Sequence, residues 1–106
     1  MPSILILTDP DTGLINCKIV PKNNLMEEFL ESEIQEDIAF VEYLRKAIEE
    51  LDENGFEING NAHCLRLTTT DYSVSRLHEN VDDVSSGRLD DFTYFLVEWE
   101  KALRKG

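Results

Sequence analysis

Across residues 24–55, apolar side chains recur at Leu30, Ile34, Ile38, Val41, Leu44, Ile48 and Leu51. Steps of three and four mark one face of an α-helix, so this stretch is expected to be the spine on which the rest of the chain packs. Asn24 fits an N-cap and Gly55, after Asn54, a C-cap. The first turn reads as a separable short piece, because Ser32 and its charged neighbours weaken continuity there. The other faces hold eleven acids, Glu27, Glu28, Glu31, Glu33, Glu36, Asp37, Glu42, Glu49, Glu50, Asp52 and Glu53, against Arg45 and Lys46.

A chain of 106 residues fits one domain with one core, here 1–106. Its net charge of −12 repels phosphate backbones and anionic membranes and attracts basic proteins, so nucleic acid and membrane are set aside as partners. The plain alternative is that acidity only keeps the protein soluble. Cys17 and Cys64 have neither metal-knuckle spacing nor a companion pair, and both are expected on strands as small buried groups. The start of the chain lacks a basic region, and its apolar run at 4–7 is too short for a signal peptide or a membrane span, which points to a cytoplasmic protein.

Residues 3–8, Ile- and Leu-rich, read as a central strand buried on both sides. Asp9-Pro10-Asp11-Thr12-Gly13 supplies a turn. Residues 14–20 then alternate, with Ile15, Cys17 and Ile19 on one face, giving a first hairpin ended by Pro21. After Gly55 an optional short strand at 56–58 precedes a second hairpin, 62–69 with 72–78, whose first strand sets His63, Leu65 and Leu67 on one side. Residues 79–87 read as a polar loop. Leu89, Phe92, Phe95, Leu96, Trp99 and Leu103 define a closing helix with Lys101, Arg104 and Lys105 near its end. The expected order is β-β-α-β-β-α, an α+β fold with an antiparallel sheet of two hairpins and both helices on one face; the pairing of the hairpins stays open.

No catalytic motif stands out. His63 and Cys64 are adjacent, and neighbours on a strand point to opposite faces, so they cannot act as a nucleophilic pair; His63 is expected at the core edge or surface. The carboxylate pairs Glu27/Glu31 and Glu33/Asp37 have one-face helical spacing but no histidine or second acidic helix in register, which favours a solvated face over a metal site. A carboxylate-based metal hydrolase remains the enzyme-class alternative; no metal or cofactor is expected. Asp90 and Asp91 suit the start of the last helix. Trp99 belongs to the apolar stripe, whereas Tyr94 and Tyr43 fall off theirs and stay open as interface aromatics.

In the order of its elements, and in the closing pattern of Asp91, Phe92 and Trp99, the chain resembles the YacL-like family of short acidic bacterial proteins without an established activity. In size, charge and style it is also similar to the immunity proteins of contact-dependent growth inhibition and related toxin systems, which are single acidic cytoplasmic domains. The second resemblance implies an inhibitor without catalysis that fills or covers the cationic cleft of a cognate, basic nuclease toxin. The first implies a housekeeping domain that binds another protein or dimerises through a helix face. For the partner surface the expected residues are Glu79, Asp82 and Asp83, then Asp71 at a hairpin tip, and Glu42 and Glu49 on the long helix.

Overall fold

The computed structural model describes residues 2–77 and 84–105. Strands β1 (Ser3–Thr8) and β2 (Ile15–Val20) form an antiparallel hairpin. Its turn is fixed by the Asp9 carboxylate, which accepts from the Asp11 amide at 2.8 Å, and by Gly13 at φ 76°. Helix α1 (Asn24–Glu28), a π-helical turn (Phe29–Ile34) and α2 (Ile38–Glu49) follow. Next come β3 (Phe56–Asn59), β4 (His63–Leu67), β5 (Asp71–Arg76) and β6 (Val84–Arg88), then α3 (Leu89–Lys105). β3 to β6 make a four-stranded antiparallel sheet in chain order, separate from the two-stranded one.

The class is α+β as expected, with the two hairpins in different sheets and one more strand at each side of the second hairpin. β6 corrects the reading of 79–87 as all loop: residues 84–87 pair with β5. The sequence Val84-Ser85-Ser86-Gly87 shows no apolar alternation, yet β5 supplies a full ladder for it. At Gly87 a Cβ would come within 3.0 Å of the Tyr72 ring, so the missing side chain lets that ring pack.

The long helix is not continuous. Its N-cap is Asn23 rather than Asn24, with its side chain accepting from the Met26 amide at 3.3 Å. Gln35 donates to Leu30 O at 2.8 Å, a step of five residues that makes the turn wide, and then takes φ 43° and ends the run. Asp37 caps a new helix by accepting from Phe40 N at 3.0 Å. α2 stops at Glu49, so Gly55 is no C-cap; at φ 75° it turns the chain into β3, where a Cβ would meet Leu67 O at 2.9 Å.

The core is built from Leu25, Met26, Phe29, Leu30 and Ile34 of the α1 segment, Val41 and Leu44 of α2, and Phe92, Phe95, Leu96 and Trp99 of α3. The sheets close it with Cys17 and Ile19 and with Leu65, Leu67, Tyr72 and Val74. Both cysteines lie on strands, buried and free. β1 corrects the expectation of a central strand: among the described residues it pairs only with β2, and Leu5 and Leu7 are 57% and 45% exposed. A run of Ile and Leu alone does not separate a strand buried on two faces from one buried on a single face. Among the described residues no helix is long and apolar enough to cross a membrane.

Candidate functional site

Several of the acids expected on a solvated helix face are used inside the molecule. Glu27, Glu31 and Gln35 stand four residues apart, about 6 Å along a helix, and Ile19, Cys17 and Ile15 stand two apart, about 6.7 Å along a strand. The spacings match. Glu27 accepts from Ile19 N at 2.9 Å, Glu31 from Cys17 N at 2.8 Å and Gln35 from Ile15 N at 2.9 Å. Three helical side chains thus stand where a third strand would be, and the wide π-helical turn helps keep them in line with β2. The Glu27/Glu31 pair is therefore not a solvated face.

On the other side of the same segment, Glu28 and Glu33 reach the four-stranded sheet. Glu33 accepts from Asn61 N at 2.9 Å, Ala62 N at 2.8 Å and the His63 ring at 2.8 Å. Gly60 makes this approach possible, since a Cβ there would lie 2.4 Å from the Glu33 carboxylate. The other ring nitrogen of His63 faces Glu28 at 3.1 Å, and Glu28 also accepts from Arg76 at 2.6 Å. Burial works against the Glu33 charge, but hydrogen bonds from His63 and the two amides outweigh it and hold the carboxyl below its usual range. Arg76 does most to lower Glu28, again against burial.

His63 is thus buried, not at the core edge or surface, with its side chain 5% exposed. Its alternation with Cys64 holds as expected: they sit on opposite faces of β4. With both ring nitrogens held by carboxylates, the cluster clamps the helical segment to the four-stranded sheet. Among the described residues no group of three potential ligands is arranged to hold a metal ion. Glu100 is used in a similar way: buried on α3, it takes Arg45 and Arg104, and hydrogen bonding by Arg104 first, then Arg45, lowers its carboxyl against desolvation.

Beyond those acids, α2 and the segment after it carry a further exposed group. Glu42, Glu49, Glu50, Asp52 and Glu53 are all exposed, and Lys46 meets Glu50 only at 4.0 Å. Glu42 and Glu49 are seven residues apart, which stacks them on one stripe of the helix. Among the described residues neither has an ion-pair partner. Tyr43, Ala47 and Glu50 form the neighbouring stripe and line a groove of about 440 Å³ with Lys46, Leu51, Asp52 and Phe56. Tyr43 is 52% exposed and meets the Phe56 ring edge-on at 6.0 Å between centroids. Off the apolar stripe as expected, it is an exposed aromatic group in a groove that also holds Lys46, Glu50 and Asp52.

Asp71 is exposed at the start of β5, opposite Arg88, and at the end of the sheet where Leu67 pairs with Phe56. The structure therefore brings Glu42 and Glu49 together on one helix and puts Asp71 at the sheet end that holds the groove's Phe56. Glu79, Asp82 and Asp83, the first choice from sequence, lie outside the described residues. Asp90 and Asp91 occupy the first turn of α3, as their type suggests. Tyr94 is 38% exposed, and Trp99 is buried, its ring N–H donating to Gln35 O at 2.8 Å. Sequence reasoning missed Leu51 and Phe56 as groove residues, because an apolar residue beside a helix end carries the same signal whether it closes a core or lines a cleft. No protein-family model, no curated protein and no solved structure matches this chain.

Proposed function

We propose that the protein is a cytoplasmic inhibitory binding protein, an immunity protein that neutralises a basic nuclease toxin by laying its acidic surface over the toxin's cationic cleft. The observation that carries this reading is the α2 ridge: Glu42 and Glu49, without an ion-pair partner among the described residues, beside a groove from which Tyr43 projects. Carboxylates in this arrangement complement a surface built to hold phosphates, and they raise the rate at which such a surface is captured. Tyr43 and Phe56 add the amphipathic aromatic area on which tight interfaces commonly depend. The protein itself carries out no chemistry in this reading; it denies the nuclease its substrate.

The test is to mix the purified protein with a basic nuclease encoded beside it and follow both complex formation and cleavage. Inhibition with a complex that weakens as salt rises supports the reading. An unaffected nuclease and no complex at low salt overturn it. Glu42→Lys with Glu49→Lys should slow association and flatten its salt dependence. The housekeeping alternative, a YacL-like domain, rests on element order and has no structural observation of its own in its favour.

A further inference from the structure

The β1–β2 hairpin has two edges, and the chain treats them differently. Asp9 N–H donates to Leu14 O at 2.8 Å, so counting back through the antiparallel register, Thr8/Ile15, Ile6/Cys17 and Ile4/Ile19 are the pairs whose backbone groups turn outward. On β2 the outward amides of Ile15, Cys17 and Ile19 are taken by Gln35, Glu31 and Glu27. On β1 the outward groups belong to Ile4, Ile6 and Thr8, and no hydrogen bond to them is found among the described residues.

The open edge also lacks what normally blunts one. Ser-Ile-Leu-Ile-Leu-Thr contains no charge, no proline and no bulge. A groove of about 550 Å³ runs beside it, between Ile4, Ile6 and Thr8 and the α3 residues Glu98, Lys101, Ala102 and Lys105. The hairpin's outer face also exposes Leu5, Leu7, Leu14 and Val20, each by at least 45%, with Lys18 and Asn16 opposite Leu5 and Leu7. Two strands alone make a marginal sheet.

We infer that this edge is a self-association site, where β1 pairs antiparallel with β1 of a second copy about a two-fold axis at Ile6. The register is self-complementary: Ile6 meets the partner's Ile6, Ile4 meets the partner's Thr8, and Thr8 the partner's Ile4. Every outward group then gains a partner, about six backbone hydrogen bonds in all, in a four-stranded sheet β2-β1-β1-β2. Leu5 of each copy falls opposite the partner's Leu7 on the outer face, joining the two apolar patches.

The self-complementary register selects a second copy, and the local charge at this edge permits one. Pro2 shares a groove with Tyr94, and Thr8 shares one with Ala102 and Leu103, so α3 runs alongside β1 in the same direction. Antiparallel strands therefore bring antiparallel α3 helices, setting Glu98 of each copy towards Lys105 of the other. Two copies of a chain with net charge −12 repel over most of their surface. At this edge the strand is neutral, and although Lys101 holds Glu98 at 3.0 Å within each copy, α3 still presents two cations to one carboxylate, so Lys105 is left to face the partner's Glu98.

Sedimentation from low to several hundred micromolar protein should show the 12.2 kDa chain passing to twice that mass. The amides of Ile4, Ile6 and Thr8 should exchange with solvent more slowly as concentration rises, while those of Leu5 and Leu7, bonded to β2, stay protected throughout. Thr8→Pro removes an outward N–H and no bond to β2, and should weaken the dimer about tenfold. Should that variant fold poorly, the charge exchange decides: Glu98→Lys and Lys105→Glu should each weaken association, and the double variant should restore it. A chain that stays monomeric throughout, a dimer indifferent to all these substitutions, or an edge that pairs only with a strand of another protein would overturn the inference.

Discussion

Glu33 accepts three hydrogen bonds while its side chain is 3% exposed, so its charge is tied to the fold. A carboxyl whose folded pKa is depressed contributes stability that is fully present above its ordinary range and is lost as pH falls through the folded value. Glu28 and Glu33 both behave in this way. Urea denaturation followed downward from pH 7 should therefore show stability constant until the ordinary carboxylate range, then falling. Glu33→Gln keeps one acceptor oxygen and loses the charge, and should cost about 2 kcal/mol at neutral pH. The gap between variant and parent should narrow as acid protonates Glu33 in the parent; an equal cost at every pH would show that the charge has no part in it. Cys17 is perturbed in the other direction. Burial first, then the Glu31 and Glu27 carboxylates, push its thiol up to about 12. Mass spectrometry after iodoacetamide treatment at mildly alkaline pH should find Cys17 unmodified in the native protein and modified in urea.

Gln35 decides how the central helical segment behaves as an element. Its backbone sits at φ 43° and ψ −105°, a conformation that favours glycine, while its side chain holds both Ile15 N and Ile15 O. These two facts give substitutions an unusual order. Gln35→Ala loses the side-chain bonds and keeps the backbone cost, so it should destabilise by about 2 kcal/mol. Gln35→Gly loses the same bonds but relieves the backbone, and should be the milder of the two by about 1 kcal/mol in thermal or urea denaturation. In an ordinary helix interior the order is reversed. Ser32 and its charged neighbours pointed to a separate first piece, but the place of the break at Gln35 was hidden because the apolar steps Leu30, Ile34, Ile38 and Val41 run through it without a gap; Asp37 was the nearer sign, a residue that caps helices as readily as it decorates them. The alternation of Ile15, Cys17 and Ile19 and the aromatic stripe of α3 were legible, since a buried face imposes its period directly on the sequence. β6 was not, because pairing with β5 rather than its own side chains makes it a strand. Nor were the roles of Glu27, Glu31 and Glu33, since a carboxylate bound to a neighbouring strand has the same sequence signal as one in water.

Charge at the scale of the whole molecule is partly structural and partly in excess, and the two parts should respond differently to substitution. Acids that hold amides or arginines inside, such as Glu31 and Glu100, cannot be exchanged without loss of stability. Glu42 and Glu49 are exposed and have no cationic partner among the described residues, so they add to the self-repulsion of a chain with net charge −12 without a compensating bond. Two outcomes follow for Glu42→Lys with Glu49→Lys, which moves the net charge by +4, from −12 to −8. Thermal denaturation at low ionic strength should show the variant as stable as the parent or more so by up to about 1 kcal/mol, with the difference shrinking as salt screens the repulsion. Binding to a cationic protein should fall in the same variant, chiefly through slower association. Stability kept and capture lost is the signature of charge retained for a partner. If the variant instead gains stability and captures its partner unchanged, the ridge serves solubility, and the acids with work to do are those already bound within the fold.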